Sequence, residues 1–272
     1  MKPDHRAHSM ASFALIRRSF LSVAFVVCLF CVNGAHSEEM TPFKVVMATR
    51  INDQIISFYL YFDSHYAVEF ETKDHEKLLV VYDLDSKSWT DFDPPRIVRK
   101  ADYEEWNRRS EEKTRKSLAS TKDAELKRFV GAALDPMFKV TRSGDTISLE
   151  NDVFAYKLSK PLSLSPAQRK RFFEYDRVNA FRKAMIERKM TPATQLAVDE
   201  ELEPKDFIPG SMVMTVKTPK GDVQVNVTTR VMPFDADDTE PVADAIHRAK
   251  TMRDAKLQQQ SVNPQVQQRR TG

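Results

Sequence analysis

Between Phe43 and Phe92, apolar positions recur at every second residue in runs separated by short polar turns: FKVVMATR, IISFYLYF, YAVEFET, KLLVVYD and SWTDF. A period of two belongs to extended chain, so the segment predicts five successive strands. Ile56, Phe58, Leu60 and Phe62 fall on one face, and Ser57, Tyr59 and Tyr61 on the other, which makes that second face amphipathic rather than fully polar. Asp93-Pro94-Pro95 is expected to end the meander, because proline donates nothing to a ladder.

The period then lengthens. Residues 102–117 read as a charged helix with Tyr103 and Trp106 as its main apolar contacts, and residues 121–134 as an amphipathic one with Leu126, Phe129, Val130, Ala133 and Leu134 in a stripe. MFKVTR, TISLE and VFAYKLS predict three more strands, joined by Ser143-Gly144-Asp145 and Asn151-Asp152 turns. Ser165-Pro166-Ala167-Gln168 carries an N-cap serine, proline at the first helical position and a glutamine placed for a capping box. Phe172, Tyr175, Val178, Phe181 and Met185 mark the buried stripe of that helix, and Thr191-Pro192 restarts a short one. The hairpin SMVMTVKT and DVQVNVTTRV alternates again, with Val223, Val225, Val227, Thr229 and Val231 on its core face. Residues 239–257 predict a C-terminal helix, and the Gln-rich residues 258–272 lack the apolar content to order themselves.

Ahead of this body lies Arg17-Arg18-Ser19 and an uncharged run from Phe20 to Val32, too short for the roughly 20 residues of a membrane-spanning helix. Residues 1–37 read as an export signal, cleaved after Ser37 or after Ala35, with Met10 an alternative start to Met1. The expected address is periplasmic or extracellular, without a membrane span once the signal is removed. RRSFL resembles a twin-arginine core, but Ile16 and Ser22 stand where that signal prefers other residues, so the general secretory route is the expected one.

Removing residues 1–37 also removes both cysteines, Cys28 and Cys31, together with Lys2, Arg6, Arg17, Arg18 and Asp4. What remains is formally neutral and free of thiols, which excludes disulfides and thiolate chemistry and leaves no compositional case for nucleic acid. Gly131, Gly144, Gly210 and Gly221 are isolated, so no phosphate-cradling loop is present. No catalytic motif appears, and neither a cofactor nor a metal is expected. His65, Glu69 and Glu71 form the best imidazole–carboxylate set, read more simply as a polar strand face. Asp235, Asp237, Asp238 and Glu240 read as a solvated cluster before the last helix.

The strongest candidate for binding is aromatic: Tyr59, Tyr61, Tyr66, Phe70, Trp89 and Trp106 could line an apolar groove. The expected fold is α+β, one domain over residues 40–235, a curved antiparallel sheet resembling an incomplete barrel with helices on one face; short links between strands demand the antiparallel arrangement. This layout, an export signal, a meander through IISFYLYF, YAVEFET and KLLVVYDLDSKSWTDF, then helix, strands, helix and a closing hairpin, resembles the periplasmic lipoprotein carriers and their lipoprotein-acceptor relatives. The likeness is one of layout and transfers no individual residue. It implies a non-enzymatic carrier for an apolar or lipidated ligand; the alternative is a structural or protein-interaction component of the cell envelope.

Replacing Arg17 and Arg18 together by lysine should leave export intact, since the general route needs positive charge and not guanidinium groups. Fractionation after a pulse of label checks this, and precursor retained in the cytoplasm would contradict it.

Overall fold

The computed structural model describes residues 40–51, 54–72, 74–186 and 191–262; the export segment and the residues from 263 onward lie outside them. Eleven strands form one antiparallel sheet: β1 (Phe43–Ile51), β2 (Gln54–Phe62), β3 (Tyr66–Phe70), β4 (Leu78–Asp83), β5 (Ser88–Phe92), β6 (Pro95–Val98), β7 (Lys139–Ser143), β8 (Thr146–Glu150), β9 (Phe154–Pro161), β10 (Pro209–Val216) and β11 (Val223–Met232). Their spatial order is β6-β5-β4-β3-β2-β1-β11-β10-β9-β8-β7. The sheet is curved and does not close into a barrel. Five helices accompany it among the described residues: α1 (Lys100–Ser120), α2 (Ala124–Leu134), α3 (Pro166–Ile186), α4 (Pro192–Leu202) and α5 (Ala236–Val262). None is long and apolar enough to cross a membrane.

The meander does not stop at Asp93-Pro94-Pro95. Pro95 opens a sixth strand that pairs Phe92↔Pro95 and Trp89↔Val98 at the edge of the sheet. An edge position asks no donor of proline toward solvent, which is why the residue is tolerated there.

Pairing register sorts the side chains onto two faces. On the inner face, Phe43 and Val45 of β1 stand opposite Phe62 and Leu60 of β2, and the row continues through Ala67, Val80, Tyr82 and Trp89. Phe172, Phe173, Tyr175 and Val178 of α3 and Val198 and Leu202 of α4 close over it to form the main core. The helix starts are secured as the sequence predicts: Ser165 N–H donates to Gln168 Oε1 (2.9 Å) and Gln168 N–H to Ser165 Oγ (3.3 Å), the capping box of α3. The Thr191 and Thr194 hydroxyls donate to the Ala133 carbonyl at 2.8 and 3.2 Å, tying α4 to an otherwise open carbonyl near the end of α2.

The outer face is covered over part of its width by α5. Val242, Ala245 and Ala249 bury Tyr61, Val68, Phe70, Leu78 and Val81 in a second, smaller core. The last helix extends through Ala236–Val262, longer at both ends than the 239–257 its pattern predicts.

Among the described residues, Gly210 occupies the one glycine position where space itself demands the residue: a Cβ there would lie 2.5 Å from the Lys160 carbonyl oxygen and 3.2 Å from Leu162 Cδ2. The obstacle is backbone, which cannot swing aside. Gly210→Ala should destabilise the fold by about 1–3 kcal/mol, the usual cost of overpacking. Urea unfolding measures it, and an unchanged midpoint would show that β9 and β10 separate more easily than this pairing implies.

Candidate functional site

The six aromatic residues singled out from the sequence do not form one groove. Tyr61 and Phe70 are fully buried beneath α5, with Tyr59 and Tyr66 packed at the margin of the same cluster. Tyr61 meets Phe70 edge-on with ring centroids 5.6 Å apart. Trp89 sits on the opposite face, buried in the main core and stacked on Tyr103 at 5.2 Å, which in turn stacks on Phe181 at 4.6 Å. Trp106 lies elsewhere again, in a groove of about 520 Å³ between the helices that it shares with Phe129, Val130 and Met185.

A buried polar network occupies the inner face beside Trp89. Strand alternation points Glu69, Tyr82 and Asp91 inward, and α3 brings Tyr175, Asn179 and Arg182 to meet them. Arg182 Nε donates to Asp91 Oδ1 at 2.7 Å, and Trp89 Nε1 donates to the other oxygen of the same carboxylate at 3.0 Å. The Tyr82 hydroxyl lies 2.9 Å from Asn179 Oδ1 and 3.3 Å from Glu69 Oε2, and Asn179 Nδ2 donates to Tyr175 Oη at 3.1 Å. Burial pushes the Tyr82 phenol well up, and the Glu69 charge adds to it. Burial alone would lower the Arg182 guanidinium, but the Tyr82, Asp91 and Glu69 groups outweigh it and hold it firmly charged. The network specifies the seating of α3 on the sheet.

Beside it the inner face changes character. Glu69 is paired with Leu60 of β2, and two residues further along that strand Phe58 begins a strip that the helices leave partly open. Its rows run across four strands: Ile56, Thr49, Val227 and Met212 in one, Gln54, Ile51, Val225 and Met214 in the next. Met47, Phe58, Val225, Met212 and Met214 are half-buried, while Ile51, Ile56 and Val223 are 40%, 45% and 46% exposed. Of the residues expected to form the core face of β11, only Val227 and Thr229 are buried; Val223 and Val231 are exposed. The result is an apolar trough, lined in part by methionines whose unbranched thioether chains adapt to irregular shapes. Alternation in the sequence places Ile56 with Phe58 on one strand face and Val223 with Val225 on another, but it does not say that the helices stop short of them.

Other sequence candidates are dispersed. His65 pairs through Nδ1 with Asp85 Oδ2 at 2.6 Å on the surface, Glu71 pairs with Lys77, and Glu69 belongs to the buried network, so the three do not converge. Among the described residues no group of three or more histidine, cysteine, aspartate or glutamate side chains could hold a metal ion. Asp238 departs from the solvated reading: it is 3% exposed, with Lys44 Nζ at 3.0 Å and His75 Nε2 at 3.1 Å. Lys44 points outward from β1 beneath α5, and an ammonium shut off there needs a carboxylate. Burial alone would raise the Asp238 carboxyl, but the Asp235 N–H and Lys44 hold it low.

Reading along the chain also missed a carboxyl pair between α3 and α4. Gln195 Nε2 donates to Asp176 Oδ2 at 3.1 Å and to Asp199 Oδ1 at 3.0 Å. Burial pushes both carboxyls up, and for Asp199 the charge of Asp176 adds to it. No family model matches this chain, and comparison with curated proteins finds no match.

The Asp199 carboxyl, raised in the folded state, favours the fold fully below the unfolded carboxylate value near 4, and that contribution is lost as pH rises through its folded value. Asp199→Asn removes the charge while keeping the shape, so it should stabilise the protein by about 1–2 kcal/mol at about pH 8 and by less at about pH 5. Thermal melts of both proteins across that range check it; a variant equally destabilised at both ends would mean that the carboxylate is needed as a charge.

Proposed function

We propose that this chain is an exported, non-enzymatic carrier or binding module for an apolar or acylated ligand. The observation that carries the reading is the trough: a four-strand width of inner sheet face, mainly apolar and incompletely covered, beside a main core that the helices close over. An acyl chain laid along Met47, Phe58, Val225 and Met214 would exchange water for contact with apolar side chains, at about 25 cal/mol per Å² removed from solvent. The role asks for no catalytic group, and the polar network next to the trough is engaged in holding α3. The uncharged run at Phe20–Val32 behind paired arginines supports export.

Two trough residues are exposed enough to change without disturbing the core. Ile56→Lys combined with Val223→Lys should leave the melting temperature nearly unchanged, while weakening binding of a fluorescent long-chain fatty acid by about tenfold or more, at least 1.4 kcal/mol. Fluorescence titration of the mature chain and the variant measures this. An unmodified protein that binds no such probe, or a variant that binds it equally well, would remove the trough as the site.

A further inference from the structure

On the outer face, the last turns of α5 meet the β4–β5 turn, edge strand β6 and the start of α1 around a cavity of about 330 Å³. That volume lies at the low end of the range that holds small organic ligands. Ile97, Ala101 and Leu257 give it apolar walls, and Leu257 is 53% exposed, a large apolar side chain left in water at its rim.

The border of the cavity is cationic. Arg99, Lys100, Arg253 and Lys256 line it, and no carboxylate is among its lining residues. These cations are not equally free. Arg99 is held by Asp102 through two hydrogen bonds of 3.0 and 3.1 Å, and Lys100 pairs with Glu104 at 3.3 Å. Arg253 gives Nη1 to Asp83 at 2.6 Å, yet its Nε–H is buried without an acceptor. Lys256 Nζ rests 3.0 Å from a neutral acceptor, the Ile97 carbonyl. The Lys256 ammonium, which makes no salt bridge among the described residues, and the Arg253 guanidinium therefore line the same cavity.

We propose that this cavity binds a small single-chain amphiphile with an anionic head, a medium-chain carboxylate being the simplest case. The head sits between Lys256 and Arg253, and the chain covers Ile97 and Leu257. An anion there meets both cations at once, since hydrogen bonds to charged partners are the strong ones, and the chain removes exposed apolar surface from water. A cationic head would meet like charge from Lys256 and Arg253. The site is separate from the trough and goes beyond the function proposed above.

Calorimetric titration of the mature chain with decanoate, decanol and inorganic phosphate tests it. Decanoate should bind, with decanol and phosphate each weaker by about tenfold or more. Lys256→Gln, at an exposed position where folding is not at stake, should weaken decanoate by about tenfold; Ile56→Lys with Val223→Lys should leave it unchanged. Decanol binding as tightly as decanoate would show that the charge is not read, and phosphate binding as tightly would reduce the site to a simple anion contact. Decanoate affinity that falls in the trough variant and not in Lys256→Gln would overturn the assignment. The long-chain probe is read at the trough and decanoate at Lys256, so either can fail without the other.

Discussion

Strands β2, β3 and β4 are apolar on both faces, and most of the architecture follows from that. Leu60, Phe62, Ala67, Val80 and Tyr82 point one way, and Tyr61, Val68, Phe70 and Val81 the other. Neither set can be left in water, at a cost of about 1.5–3 kcal/mol for each large side chain, so this half of the sheet needs a layer on each side. The inner layer comes from α3 and α4; the outer comes from α5, delivered by the C-terminal end of the described chain. On β10 and β11 the alternation is one-sided, with Ser211, Asn226, Thr228 and Arg230 facing outward, and no second layer is required there.

Polar groups fix where each layer sits. An apolar helix face can slide over an apolar sheet with little penalty, but Arg182 against Asp91 on one side and Asp238 against Lys44 on the other each allow one placement. Moving either helix would strand a charge away from water, and a buried charge without its partner costs several kcal/mol. The short Ala245 and Ala249 side chains bring α5 close to the sheet, and His75 extends the ion pair to the β3–β4 connection. A small helix–sheet contact is thereby made specific.

What could be read along the chain was whatever depends on near neighbours. The two-residue period of IISFYLYF, the Ser165-Pro166 helix start and the short links that force antiparallel pairing are local, and they specified the α+β sheet. Pro95 reads locally as a stop, because the rule against proline in strands depends on whether the strand is central or an edge, which no local window contains. Asp238 looked solvated for a related reason: its partner Lys44 lies 194 residues away. Tyr59, Tyr61, Tyr66, Phe70, Trp89 and Trp106 share a residue type, and residue type does not say which face a covering helix will take. The trough and the cationic cavity are defined by where helices end relative to strands, a property of three-dimensional packing alone.

The pairing of β1 with β11 also governs how the molecule comes together in time. A meander of six strands at the N-terminal end and a group of five toward the C-terminal end join only along this seam, where Lys44 stands opposite Met232. During synthesis the first group is complete while β1 still presents an unpaired edge, and it keeps that edge until the last strand has emerged. Throughout that interval Lys44 has no Asp238 and the tyrosine face of β2 has no α5. Nascent chains of this protein therefore expose a sticky ladder and an aromatic surface together, the combination that invites capture by a holdase chaperone or by a neighbouring chain.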